Sequence, residues 1–516
     1  MRRLFFLAPF LLVGLPLIAQ QSSSPLPPGN DAPIRVATRI VVLDVVVTDK
    51  KGNLVNDLKP EDFTIIEDKV PQTIRSFEPP STHFIPEQTK VADVKSMDDV
   101  QKKMPNAPIS ILVLDELNTK FEDMSYARYT LQKYLKSQPA KLAQPTSLTV
   151  ATNTRFLQIH DYTLDRDALL KTLAEHTPEY PFKASHGGGS FAAENLATTL
   201  SIMRQIAHAT SGHPGRKNMI WVGKGFPPIN LTNELDTTAD ALTNAVQQTV
   251  NQLRDARITL TTIDPTASPS YTESVVTPDD LDVQVDAMGD DPFSGDINFT
   301  NLAPETGGRS VYGRNDVGVQ IGDAIHEGGN YYTLSYSPGS TSDEQAQYRH
   351  IAIKLSRPDM VATTRNGYYT GVDTRETQPM QNLKLLAMDL GQAANSSVVY
   401  TGLGVKSERV SDGSYKILVD SKTLNWIEQP NGDRTSEVTI IVAAFNKQNK
   451  IVAHAGQEMT AHIPETKIAD SLGQPASFTV PFQAPANTTR LRVIVRDAGS
   501  GKIGTADLDP VTGKQK

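Results

Sequence analysis

Asp115, Asn118 and Thr119 place a carboxylate, an amide and a hydroxyl within one turn of chain. They close the stretch Ile109-Ser-Ile-Leu-Val-Leu-Asp-Glu-Leu-Asn-Thr, in which an apolar run leads straight into the acid. A carboxylate at the end of a strand is positioned to meet a cation. Mg²⁺ takes hard oxygens in an octahedron and keeps several waters, so one or two carboxylates with hydroxyls suffice. Asn118 also fits plain turn chemistry, in which the side chain folds back on its own backbone. Asp264, in Thr-Ile-Asp-Pro, ends another apolar run, and there an Asp-Pro turn is the preferred account.

Other constellations carry less. The acidic run from Thr277 to Asp296 lacks the spacing of an EF-hand loop and reads as a solvated insertion, one that follows a strand and overhangs its end. His186-Gly-Gly-Gly-Ser190 lacks the pattern of a phosphate-binding P-loop, and no Gly-x-Ser-x-Gly elbow occurs. Histidines at 160, 176, 186, 208, 213 and 326 are scattered, without a His-Glu-x-x-His motif. No zinc cluster and no nucleophile with its base can be read from spacing, so the expectation is a protein that is not an enzyme. A secreted hydrolase with a site assembled only in space is the reading from another class.

The elements that must hold these residues begin at Ile109, where strand and helix patterns alternate, the mark of an α/β sheet. Strands fall on Ile109–Asp115, 147–153, 155–162, 218–222, 258–264, 309–312 and 331–338. The second and third are close enough to form a hairpin. Helices fall on Ser125–Ser137, after an N-cap at Asp165 with Leu164 and Leu169 placed as a hydrophobic staple, on the Leu196, Leu200, Met203, Ile206 face, on 234–257, and from Asn315 to about His326. This predicts a mostly parallel sheet over 109–337 with helices on both faces.

Around it lie β patterns. Residues 34–79 form a small β unit too slight to stand alone, and strands over 338–372 return to it, so the α/β domain is inserted in a β domain. Residues 80–108 and 373–382 read as linkers. Residues 383–516 read as a β-sandwich of short strands between turn signals.

Residues 1–20, Met-Arg-Arg-Leu-Phe-Phe onward, read as a secretory signal, with 21–33 as a polar, Pro-rich linker. No other segment approaches the ~18 apolar residues of a spanning helix, so no membrane span is expected in the mature chain. The sequence has no cysteine, which excludes disulfides, thiolate metal sites and thiol nucleophiles and suits an exported bacterial protein, periplasmic or extracellular. Net charge is -8 with no basic block, which argues against nucleic acid as a partner.

The segments Asp44-Val-Val-Val-Thr-Asp through Phe77, Leu112-Val-Leu-Asp-Glu-Leu-Asn-Thr, Gly212-His-Pro-Gly-Arg-Lys-Asn-Met-Ile-Trp-Val-Gly-Lys-Gly-Phe-Pro, Ile258-Thr-Leu-Thr-Thr-Ile-Asp-Pro, Leu302-Ala-Pro-Glu-Thr-Gly-Gly and Tyr331-Tyr-Thr-Leu-Ser-Tyr together resemble the VWFA-related family described from Acidobacteria. The resemblance runs from about residue 35 to 372. It implies a von Willebrand factor A-like, Rossmann-like central domain that binds a ligand at the carboxyl edge of its sheet, flanked by β domains. In such domains Mg²⁺ sits in an Asp-x-Ser-x-Ser site completed by a Thr and an Asp from two other loops. Here Asp115 stands at the first position, Leu117 replaces the first hydroxyl, Thr119 fits the second, and Ser190, with Thr199 as a competing alignment, stands for the loop Thr. Gly223-Lys224-Gly225 follows the strand where the second Asp belongs. The expectation is a degenerate metal site and no cofactor, with Lys224 partly replacing the cation as an ion-pair partner of Asp115. The binding edge would comprise Asp115, Asn118, Thr119, Ser190, Lys224 and Asp264, facing an extracytoplasmic protein or a cell-surface ligand. The alternative keeps Mg²⁺-dependent adhesion through Asp115, Thr119 and Ser190.

Overall fold

The computed structural model describes residues 40–85, 88–152, 156–178, 189–266, 292–293, 296–338, 348–370, 379–411 and 413–515, with backbone alone for 189–191, 236, 379–385, 388 and 469. The expected signal and first linker, nearly all of the acidic run, and His186 to Gly188 lie outside the described residues. Among the described residues no helix is long and apolar enough to cross a membrane.

The fold is mixed α/β with several sheets. The largest has six strands, ordered Ser310–Val311, Ile258–Ile263, Lys217–Val222, Ile109–Asp115, Lys141–Ala151, Phe156–Asp165. The first five run parallel, and the last folds back antiparallel, Ala151 facing Phe156. Strands buried on both faces read as continuous apolar runs, and alternate residues enter two cores. Ile109, Ile111, Val113, Met219 and Trp221 face one, under the helices Gly189–Thr210 and Asp236–Asp255. Leu112, Leu114, Ile220 and Val222 face the other, under Phe121–Ser137, Arg166–Glu175 and Val317–Gly329.

From Asp115 the chain works outward to Phe156–Asp165, then crosses to Lys217–Val222 on the other side of the Asp115 strand. The connections thus reverse direction across the sheet at the Asp115 strand, and the carboxyl ends at such a switch point are where open α/β sheets bind ligands.

Local expectations met mixed outcomes. Asp165 caps its helix, accepting from the N–H of Asp167 at 2.9 Å and of Ala168 at 3.2 Å. Leu164 and Leu169 do not form a staple, because they enter cores on opposite faces of the sheet. The strand Tyr332–Tyr336 does not belong to the six-stranded sheet. It lies antiparallel between Val41–Asp49 and Ile74–Glu78, with Met360–Thr363 beyond. The six-stranded sheet ends in the two-residue strand Ser310–Val311, a poor template for a further partner, whereas Tyr332, Leu334 and Tyr336 bury with Val41, Leu43 and Val45. A second sheet, Gly367–Tyr369, Tyr348–Leu355, Phe63–Glu67 and Val70–Gln72, shares that core through Phe63, Ile65 and Ile351.

Asp44, on the strand Val41–Asp49, ties this β unit to the α/β sheet. Arg257 reaches it at 2.5 Å from a left-handed backbone, φ 54°. Burial works against the Asp44 charge, but the Arg257 guanidinium outweighs it and holds the carboxyl below its ordinary value.

The described residues of both expected linkers include helix. Within 80–108 the helix Met97–Lys103 buries Met97 and Val100, and Val94 and Met104 enter the same core, a helical spacing hidden in a polar segment. Residues 373–378 lie outside the described residues; the last residues of the second linker and the first of the C-terminal β region form the helix Pro379–Asn395, which buries Leu390, Ala393 and Ala394. Arg492 fastens its end, donating to the carbonyls of Ala393 at 3.0 Å and Ser396 at 2.5 Å while gripping Asp507 through two nitrogens.

The C-terminal region is β-rich. Val405–Ser411, Ser414–Val419 and Ala476–Pro481 form one antiparallel sheet, and Ile427–Glu428, Arg434–Phe445, Ile451–Ile463, Arg490–Asp497 and Ile503–Leu508 form another. Ile417, Val419 and Val480 meet Ile440, Val442 and Val493 between them. On the other side of the second sheet, Ala443, Phe445 and Ile494 join the core beneath Gly189–Thr210.

Candidate functional site

Asp115 is fully buried at the carboxyl end of its strand. Its Oδ1 accepts from the backbone N–H of Asn118 at 2.9 Å, and its Oδ2 from the indole N–H of Trp221 at 3.0 Å and the backbone N–H of Gly225 at 3.1 Å. The Asn118 amide lies 3.2 Å from both oxygens. Burial pushes the carboxyl above its ordinary value, and the donors on Trp221, Asn118 and Gly225 pull the other way.

Asn118 does more than turn chemistry. Its amide nitrogen also reaches Thr199 Oγ1 at 3.3 Å, and its oxygen accepts from Asn195 Nδ2 at 2.9 Å. Both partners lie on the helix Gly189–Thr210, four residues apart, so they share one face. Thr199, the competing alignment for the loop hydroxyl, therefore meets the network. Ser190 lies in the first turn of that helix, and its side chain is outside the described residues.

The loop after Lys217–Val222 is shaped by two glycines in the left-handed range, Gly223 at φ 154° and Gly225 at φ 72°. A Cβ on Gly223 would stand 2.3 Å from the Asp115 Cβ, and one on Gly225 2.1 Å from the Phe299 ring. This backbone turns the N–H of Gly225 inward and sends the Lys224 side chain out to solvent. The expected ion pair between Lys224 and Asp115 is therefore corrected: Lys224 is exposed, and its backbone N–H donates to Thr119 Oγ1 at 3.0 Å. Neutral donors, not an ammonium, compensate the carboxylate.

Asp264 sits at the end of the adjacent strand and accepts from the N–H and hydroxyl of Thr266 at 2.8 and 2.7 Å, a local turn. Asp123, on the helix Phe121–Ser137, is raised by burial and by the nearby Asp264 charge, with Lys120 and Lys224 opposing. The edge thus carries mixed charge around a buried carboxyl group whose two oxygens are both hydrogen-bonded. Among the described residues no three His, Cys, Asp or Glu side chains come together as a metal group.

Spacing gave no sign of Glu116, buried next to Asp115, whose Oε1 lies 2.9 Å from His176 Nε2 and 3.9 Å from Arg128 Nη1. A cleft of about 610 Å³ opens at the opposite end of the sheet, among Tyr134, Leu142, Gln144 and Ile325. None of the expected site residues lines it.

No family model matches this chain, and no curated protein matches it. Among solved structures, a point mutant of the PilB minor pilin from Streptococcus sanguinis aligns at 9% identity and a TM-score of 0.26, over 47% of this chain and 62% of that one. A beta-glucuronidase from glycoside hydrolase family 2 aligns at 12% identity and a TM-score of 0.12, over 35% of this chain and 17% of that one. The chain thus spans less than two thirds of either protein, and likeness at this level assigns neither fold nor activity.

Proposed function

We propose that this is an exported, non-enzymatic binding protein that docks an extracytoplasmic protein or cell-surface ligand on the carboxyl edge of its six-stranded sheet. In this reading the α/β region is a von Willebrand factor A-like domain, followed by a C-terminal β-sandwich, and its cation site has been given over to hydrogen bonds. One observation carries the proposal: both oxygens of Asp115 are taken by N–H groups of Asn118, Trp221 and Gly225. A divalent ion would have to displace those donors from a buried carboxylate, leaving each unsatisfied at about 1–3 kcal/mol. Support for the docking edge comes from the strand reversal beside Asp115.

The test is a pull-down from envelope extract with the full mature chain, in EDTA and in Mg²⁺. A stoichiometric partner recovered equally in both is expected. Recovery only with Mg²⁺, or calorimetric Mg²⁺ binding at micromolar affinity abolished by Asp115→Ala, would restore the metal-dependent reading. Turnover of a glycan or peptide library would move the protein to the hydrolases.

A further inference from the structure

The strand Ile451–Ile463, 13 residues long, lies at the margin of its sheet. It pairs along one side with Arg434–Phe445, and among the described residues no strand takes its other side. An antiparallel strand points the N–H and C=O of alternate residues outward, so such a margin is a template for another chain. Natural margins are blunted by proline, lysine or brevity. The sequence Ile-Val-Ala-His-Ala-Gly-Gln-Glu-Met-Thr-Ala-His-Ile has neither residue, and its register irregularity is confined to one end, near Ile451.

Its inward face runs Ala453, Ala455, Gln457, Met459, Ala461. Ala453, Ala455 and Met459 are half-buried at the rim of the β-region core, while Gln457 and Glu458 are exposed. Read outward from Gln457 this face is apolar in both directions, Ala455 and Ala453 one way and Met459 and Ala461 the other.

We propose that this margin is a homodimer interface: two copies of the chain pair antiparallel along Ile451–Ile463, with the two-fold axis at Gln457, so that their sheets become continuous. A two-fold interface must be self-complementary. An amide is both donor and acceptor, so Gln457 meets its own copy across the axis. In this register Glu458 lies opposite Gly456 of the second copy. The missing side chain there leaves room for the carboxylate, whose diagonal neighbours on the second copy are His454 and Glu458 itself. The added strand covers the rim left half-open by Ala453, Ala455 and Met459. This proposal does not rest on the reading of the Asp115 edge.

The absence of native cysteine makes a single introduced one unambiguous. Under mild oxidation Gln457→Cys is expected to crosslink into a covalent dimer, since residues facing across a strand pair lie within disulfide reach. His462→Cys is expected to stay uncrosslinked, because its two copies would stand ~34 Å apart. Sedimentation equilibrium of the unmodified chain is expected to give a dimer. Gln457→Lys, which sets like charges opposite each other on an exposed position, should weaken association about tenfold or more. A monomer at every concentration overturns the proposal, as does a His462→Cys variant that crosslinks as readily or a Gln457→Lys variant that associates like the unmodified chain. Association that appears only after deletion of residues 21–39 gives the margin to that segment and overturns it too.

Discussion

Trp221 donates its indole N–H to Oδ2 of Asp115 across 3.0 Å, between two strands that pair side by side. An aromatic side chain from the apolar core thus serves as a polar partner at the sheet edge. Asp115→Ala should leave the donors of Trp221, Gly225 and Asn118 unsatisfied, at about 3–5 kcal/mol in total. Trp221→Phe removes one donor and some volume and should cost about 2 kcal/mol. Urea unfolding of both variants checks the order; equal or negligible losses would mean that the network does not hold the edge.

Asp44→Asn should cost about 3 kcal/mol at neutral pH, because Arg257 keeps its charge at a buried junction without a counter-ion. The sign with pH follows from the lowered carboxyl. Asp44 contributes fully above its ordinary 3.8 and loses that contribution as pH falls through its folded value. The gap between the unmodified chain and the variant should therefore be widest near neutrality and close in strong acid. Denaturation midpoints across pH measure it, and a gap that widens on acidification would contradict the assignment.

Gly223→Ala combines a left-handed backbone at φ 154° with a Cβ placed 2.3 Å from that of Asp115. Neither neighbour is the free end of a flexible chain, so the loop must shift. A loss of about 2–4 kcal/mol is expected, with faster amide exchange at 223–226. Unchanged exchange there would show that the loop bears no strain.

Arg492→Lys keeps the charge but cannot grip Asp507 with two nitrogens while also reaching the Ala393 and Ser396 carbonyls. A loss of about 2–4 kcal/mol is expected, with exchange rising at the end of the helix Pro379–Asn395. Exchange confined to the Asp507 strand would place the role of Arg492 within the sheet alone.

Legibility in the sequence followed the range of the interaction. Ile109–Asp115 was readable because an apolar run stopped at an acid, and Asp165 because capping is local. Tyr332–Tyr336 read as a strand but not as the neighbour of Val41–Asp49, since an aromatic, β-branched run suits either sheet and only tertiary packing chooses. The direction of Lys224 depends on positive φ at the glycines on each side, and Gly-Lys-Gly is the local sign of it, whereas the charge alone points only to a carboxylate partner. Asn195 and Thr199 showed helical spacing yet no mark of what they would face. Trp221 lies in the core, and an apolar run such as Met-Ile-Trp-Val carries no sign that its indole nitrogen serves a carboxylate.

One apolar core takes in Leu196 and Ile206 of the α/β region, Leu390 and Ala393 of the helix after it, and Ala443, Phe445 and Ile494 of the C-terminal sheet. The two regions are therefore not beads on a string. A protein severed between residues 371 and 378 would leave raw greasy faces on both fragments, and neither should persist alone in solution. Intact, the pair should melt in a single calorimetric endotherm, so any tug on the sheet's crest is felt by the whole molecule at once.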